Sequence, residues 1–104
     1  MFMGDKMYLK IHENQKGRIV AVCDADLVGK VLEEQGRELD LERYRSFYVG
    51  EKVDQEPVKK ALERFGSANL VGKNAVEVAL EMGLADAEDV MYIKNIPYMQ
   101  IYRL

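Results

Sequence analysis

The chain has 104 residues, 48 % hydrophobic and 32 % charged, with two prolines, eight glycines and a net charge of −3. That length holds one ordinary core and no separate cofactor domain, and the composition is that of a folded globular protein rather than a disordered one. The acidic balance argues against strong nonspecific attraction to nucleic acid, and a single cysteine beside a single histidine excludes an internal disulfide and a Cys/His zinc site.

"MYLKIH", Met7 to His12, alternates Met7, Leu9 and Ile11 with Tyr8, Lys10 and His12, the period of a half-buried strand. "ENQKG" reads as a turn, and the β-branched, apolar "RIVAVC" as a strand covered on both faces, the two forming an antiparallel hairpin. Asp24 is placed to cap a helix over residues 25–35, with Leu27, Val28, Val31 and Leu32 as its apolar stripe and Gly36 at its end. "RELDLER" alternates Leu39 and Leu41 with charges and predicts a third strand on an edge, where charge deters unwanted pairing. Asp54 caps a helix over 55–65 with Pro57 in its first turn and Val58, Ala61, Leu62 and Phe65 on one face. A further helix is expected over 67–82, closed by Gly83, with Gly72 either inside it or marking its start. "ADAEDV" is a single turn, and "VMYIK" and "YMQIYRL" are alternating strands joined by a turn at "NIP".

The order ββαβααββ predicts one α+β domain over residues 1–104, a two-layer sandwich with helices on one face of a mixed or mostly antiparallel sheet. No run approaches the roughly 18 apolar residues of a membrane span, and the start "MFMGDKMYLK" carries no apolar signal region, so no membrane partner and a cytoplasmic setting are expected.

Charge is patterned along the chain: +2 for residues 1–23, −5 for 24–42, +2 for 43–66, −4 for 67–89 and +2 for 90–104. The first and last blocks hold most of the predicted strands, which leaves the sheet face mildly basic. If Met7, Leu9, Ile11, Met91, Ile93, Met99 and Ile101 point to the core, alternation turns Tyr8, Lys10, His12, Tyr92, Lys94, Tyr98, Gln100 and Tyr102 to the opposite face. Tyrosine buries a large area at small entropic cost and keeps a polar tip, so this face predicts a protein partner or a homo-oligomer. Tyrosines interleaved with lysines also suit unpaired bases and phosphates, which makes RNA or ribosome association the alternative.

"ADLVGK", Ala25 to Lys30, has an echo in "ANLVGK", Ala68 to Lys73. Neither copy has the paired glycines of a phosphate loop, and Gly29-Lys30 is expected inside its helix with amides already engaged. The second copy offers a small-anion alternative, in which a helix beginning at Gly72 and Lys73 holds phosphate with Ser67 and Asn69 nearby. Packing of Leu70 and Val71 under a permissive glycine explains the same letters without a ligand.

Cys23 sits at the end of a strand, where a helix N-terminus activates thiols. With residue 7 opposite residue 23, however, His12 lies five residues, roughly 17 Å, from it, and a small buried cysteine is the simpler reading. Asp86, Glu88 and Asp89 lack the glycine and terminal glutamate of a calcium loop and read as capping groups. No catalytic residues, metal ligands or cofactors are assigned.

The segments "MYLKIH", "AVCDADLVGK", "FYVGE", "ANLVGKNAVEVALEMGL" and "IPYMQIYRL" resemble a family of small archaeal proteins labelled domain of unknown function 424, over Met7 to Leu104. The resemblance implies an archaeal, cytoplasmic, one-domain protein in which residues 1–6 precede the usual start. It implies no reaction. The family's last strand begins Pro-His where this chain has Pro97-Tyr98, so histidine chemistry is absent at that place.

Overall fold

The computed structural model describes residues 6–103, so the expected N-terminal extension falls, but for Lys6, outside the described residues. Strands β1 (Met7–Asn14), β2 (Gly17–Asp24), β3 (Val31–Glu34), β4 (Arg37–Asp40), β5 (Glu51–Val53), β6 (Ser67–Val71), β7 (Met91–Ile93) and β8 (Ile96–Tyr102) are interleaved with helices α1 (Arg45–Tyr48), α2 (Gln55–Ala61) and α3 (Lys73–Glu81). Six strands form one mixed sheet in the order β5-β1-β2-β6-β8-β7, and β3 and β4 form a separate hairpin. Within the main sheet β2 and β6 run parallel and the other neighbours antiparallel. The α+β class holds.

Helices α2 and α3 bury Val58, Ala61, Ala75, Val76, Val78 and Ala79 against Met7, Val20, Val22, Ala68, Leu70 and Met99 of the sheet. This is the predicted helix-on-sheet core, and burying each aliphatic side chain contributes about 1.5–3 kcal/mol. The sheet's other face carries a second, smaller cluster, in which Ala21, Cys23 and Val71 meet Leu27, Leu41 and Tyr48. Residues 25–48 therefore form a cover of their own.

The predicted helix over 25–35 is corrected by the structure. Only Ala25–Leu27 makes a 3₁₀ turn, Gly29 has φ +92°, and the chain then enters β3. The apolar spacing that fits a helix fits a hairpin too, and the turn chemistry decides, because Gln35 (φ 50°) and Gly36 (φ 82°) form a two-residue reversal with Leu32 opposite Leu39. The charged β4 pairs with β3 alone instead of lining an edge of the main sheet.

The helix expected over 67–82 is likewise shortened, since Ser67–Val71 is a strand between β2 and β8 and the helix starts at Lys73. A strand with neighbours on both sides reads as an unbroken apolar run, and "ANLV" is too short to show its period. Helix α2 also ends sooner than predicted, at Ala61, with Leu62 and Phe65 buried just beyond it. The turn "ADAEDV" is confirmed as a 3₁₀ turn, where the Asp89 carboxylate accepts the Asp86 N–H at 3.0 Å.

Candidate functional site

Cross-strand partners share a face, so the register assigns the sides of the sheet. Tyr8, Lys10 and His12 lie opposite Cys23, Ala21 and Ile19; these continue to Val71, Asn69 and Ser67, and then to Tyr98, Gln100 and Tyr102. Six of the eight residues expected on one face, Tyr8, Lys10, His12, Tyr98, Gln100 and Tyr102, thus share a side of the sheet. Two residues depart from it. The last hairpin turns at Lys94 and Asn95, with φ 50° and 65°, rather than at "NIP", so Ile93 pairs with Ile96 and Tyr92 with Pro97. That slip turns Tyr92 to the opposite face and places Lys94 in the turn, because side chains alternate with period two. In the β1–β2 hairpin a separate shift of one residue makes Tyr8, not Met7, the partner of Cys23.

The upper part of the face is already occupied. Lys10 Nζ donates to Ser46 O at 2.8 Å, His12 Nε2 lies 2.9 Å from Phe47 O, and the imidazole stacks on the Phe47 ring at 4.7 Å. Lys52 Nζ stands 6.0 Å over the Tyr8 ring, and Arg37 Nη1 donates to Tyr98 Oη at 3.3 Å. Lys10, His12 and Tyr98 thereby hold the 25–48 cover onto the sheet, while Tyr8 and Lys52 pair across β1 and β5. What stays open is a lower strip of Ile19, Ser67, Asn69, Gln100 and Tyr102, with Gln100 Nε2 donating to Asn69 Oδ1 at 2.7 Å and Tyr102 67 % exposed. None of the five is charged.

The family profile described as protein of unknown function (DUF424) matches residues 11–104. The chain belongs to that family. It is also similar to a solved structure, an uncharacterized conserved protein from Methanopyrus kandleri, with a TM-score of 0.79 and 26 % identity over 95 % of this chain and 92 % of the other. The source of that neighbour points to an archaeal origin. No curated protein matches the chain.

In this DUF424 chain the second LVGK copy already holds an anion, its own. Asp24, at the end of β2, accepts the backbone N–H of Asn74 at 3.0 Å and of Ala75 at 2.9 Å, so a carboxylate sits on the α3 N-terminus, the place the small-anion alternative gave to phosphate. Gly72, with φ +108°, passes so close that a Cβ there would lie 2.3 Å from Asp24 Cγ. Ser67 and Asn69 belong to the open strip instead, and Lys73 is exposed. Asp24 is a cap, as the sequence suggests, but for a helix fifty residues away in the chain.

Cys23 is fully buried, and its Sγ–H donates to Asp24 O at 3.4 Å. Burial, reinforced by the charges of Asp24 and Asp26, pushes its thiol up to about 12, the reverse of an activated nucleophile. His12, four residues along β1 from the partner of Cys23, is roughly 13 Å distant at the strand rise. Among the described residues no helix is long and apolar enough to cross a membrane.

Proposed function

We propose that this DUF424 protein is a non-catalytic binding and assembly module that pairs with a second copy of itself along the open end of β8. The reading rests on one backbone observation. Gly72 N–H donates to Pro97 O at 2.8 Å and Arg103 N–H to Gly66 O at 2.9 Å, so odd-numbered residues of β8 turn their backbone groups toward β6 and even-numbered ones away. Tyr98 turns toward β7, which ends with the Met91–Tyr98 pair. Gln100 and Tyr102 turn theirs to a side where, among the described residues, no strand meets them.

An unpaired edge beside an uncharged strip with an exposed tyrosine is a template for another strand. Two copies of Gln100–Tyr102 run antiparallel across a two-fold axis are self-complementary, as an isologous dimer requires. The strip's lack of cations favours protein over RNA, since of the lysines that suggested phosphate contacts Lys94 lies in the turn and Lys10 is bonded to Ser46 O of the cover.

The test is sedimentation velocity over a concentration series. Gln100→Pro removes one outward N–H and leaves the β6 ladder intact; the bond is made twice across the two-fold, so association weakens by about 2 kcal/mol, roughly thirtyfold. Tyr102→Arg, which sets like charges against each other across the axis, gives a monomer. A chain that stays monomeric at its solubility limit, or a Gln100→Pro variant that dimerises as well as wild type, refutes the reading.

A further inference from the structure

We propose that a cleft at the lower end of the molecule, lined by Arg18, Arg64 and Arg103, binds a phosphate group. The cleft has a volume of about 320 Å³ and is completed by Glu63 and Phe65. Three segments distant in sequence build it. Arg18 opens β2, Glu63 to Phe65 follow α2, and Arg103 follows β8; the chain is drawn together there by Gly66 N–H donating to Arg18 O at 2.8 Å and Arg103 N–H donating to Gly66 O at 2.9 Å.

The cations are under-used by the protein itself. No side-chain hydrogen bond joins Arg18, Arg64 or Arg103 to another described residue. The Arg18 guanidinium has one ionic contact, Nε to Glu13 Oε2 at 3.5 Å, and that nitrogen is buried without a hydrogen bond. The Arg103 guanidinium carbon stands 4.3 Å from the centre of the Phe65 ring, a cation–π contact that takes up none of its N–H groups. Gathering three guanidiniums costs Coulomb energy that two carboxylates, the lining Glu63 and the Arg18 partner Glu13, do not fully cancel.

Guanidinium forks fit tetrahedral oxyanions in bidentate fashion, and a phosphate held by two or three of them takes charge-assisted bonds that water cannot match. The site needs no glycine loop, so the sequence shows no phosphate motif. It is separate from the β8 edge, and either proposal stands if the other fails. The phosphate belongs either to a small phosphate ester or to an RNA backbone.

The arginine Nε–Hε resonances of the full chain, followed by NMR while inorganic phosphate is added at constant ionic strength, test the site. Phosphate is expected to move the Arg18 and Arg103 signals with saturation. Arg64→Gln/Arg103→Gln should weaken the apparent affinity at least about tenfold, and Arg103→Lys, which keeps the charge and loses the fork, should weaken it as well. Displacement by a short single-stranded RNA assigns the phosphate to a backbone; tighter binding of a phosphomonoester with no RNA effect assigns it to a small molecule. Shifts that do not saturate, or that survive unchanged in the folded double variant, overturn the site.

Discussion

Asp24 and Gly72 show how two residues far apart in sequence define one another. The Asp24 carboxylate, 5 % exposed, receives two N–H groups of α3 that would otherwise be buried without partners, and Gly72 leaves the room for it. Gly72→Ala imposes both a left-handed backbone and an overlap with that carboxylate, so a loss of about 3 kcal/mol is expected in urea unfolding. Asp24→Asn keeps the shape but gives up the charge and one acceptor, and should cost about 1–2 kcal/mol. A Gly72→Ala variant as stable as wild type would show that the carboxylate does not occupy this place. The composition of "ANLVGK" announces a helix start after a packed segment; that the anion is internal depends on a β2–β6 parallel pairing that no local pattern encodes.

At the scale of elements, β1, β2, β7, β8 and the position of α2 are legible because each carries a clean period of two or 3.6 over enough residues. The errors have one cause. Short segments such as "VLEE" and "SANLV" satisfy helix and strand spacing equally, and long-range pairing then chooses. At β7–β8 the proline placed the expected turn at 95–97 instead of at Lys94 and Asn95, and that register change sent Tyr92 to the wrong face while leaving Tyr98, Gln100 and Tyr102 correctly assigned. The real turn places Lys94 and Asn95 at positive φ, where Asn-Gly is the preferred pair. Lys94→Asn/Asn95→Gly should therefore raise stability by about 0.5–1 kcal/mol, and the bond from the residue 94 N–H to the Glu34 carboxylate, 2.8 Å with Lys94, survives because its donor belongs to the main chain. A fall in the denaturant midpoint would mean the turn lies elsewhere. The arginine cleft was invisible for a related reason: Arg18, Arg64 and Arg103 are separated by whole elements and meet only because β2, β6 and β8 are neighbours.

The whole molecule is a sheet with two unlike covers, a helical layer over the larger cluster and the 25–48 segment over the smaller one. The two should not open together, since local stability follows buried apolar contact, and a two-stranded hairpin is marginal without support. Alkaline pH separates them. Cys23 and Tyr48 face each other in the smaller cluster, and burial pushes both up to about 12, from 9.0 and 10.0, with the charges of Asp24 and Asp26 adding to the shift of Cys23. Each group is neutral in the folded state but ionises when the cover lifts. The stability they lend is thus full below pH 9 and lost as the pH climbs toward 12, at up to about 1.4 kcal/mol per pH unit per group. Between pH 9 and 11 the amides of β3 and β4 should lose protection against hydrogen exchange, after correction for the intrinsic rate, while those of β2 and β6 keep it. Cys23→Ala removes the only ionisation that acts between pH 9 and 10 and one of the two that act above it, so it should nearly abolish the slope below pH 10 and roughly halve it above. If all amides lose protection in parallel, the cover and the helical layer form a single cooperative unit, and the separation into two covers has no energetic counterpart.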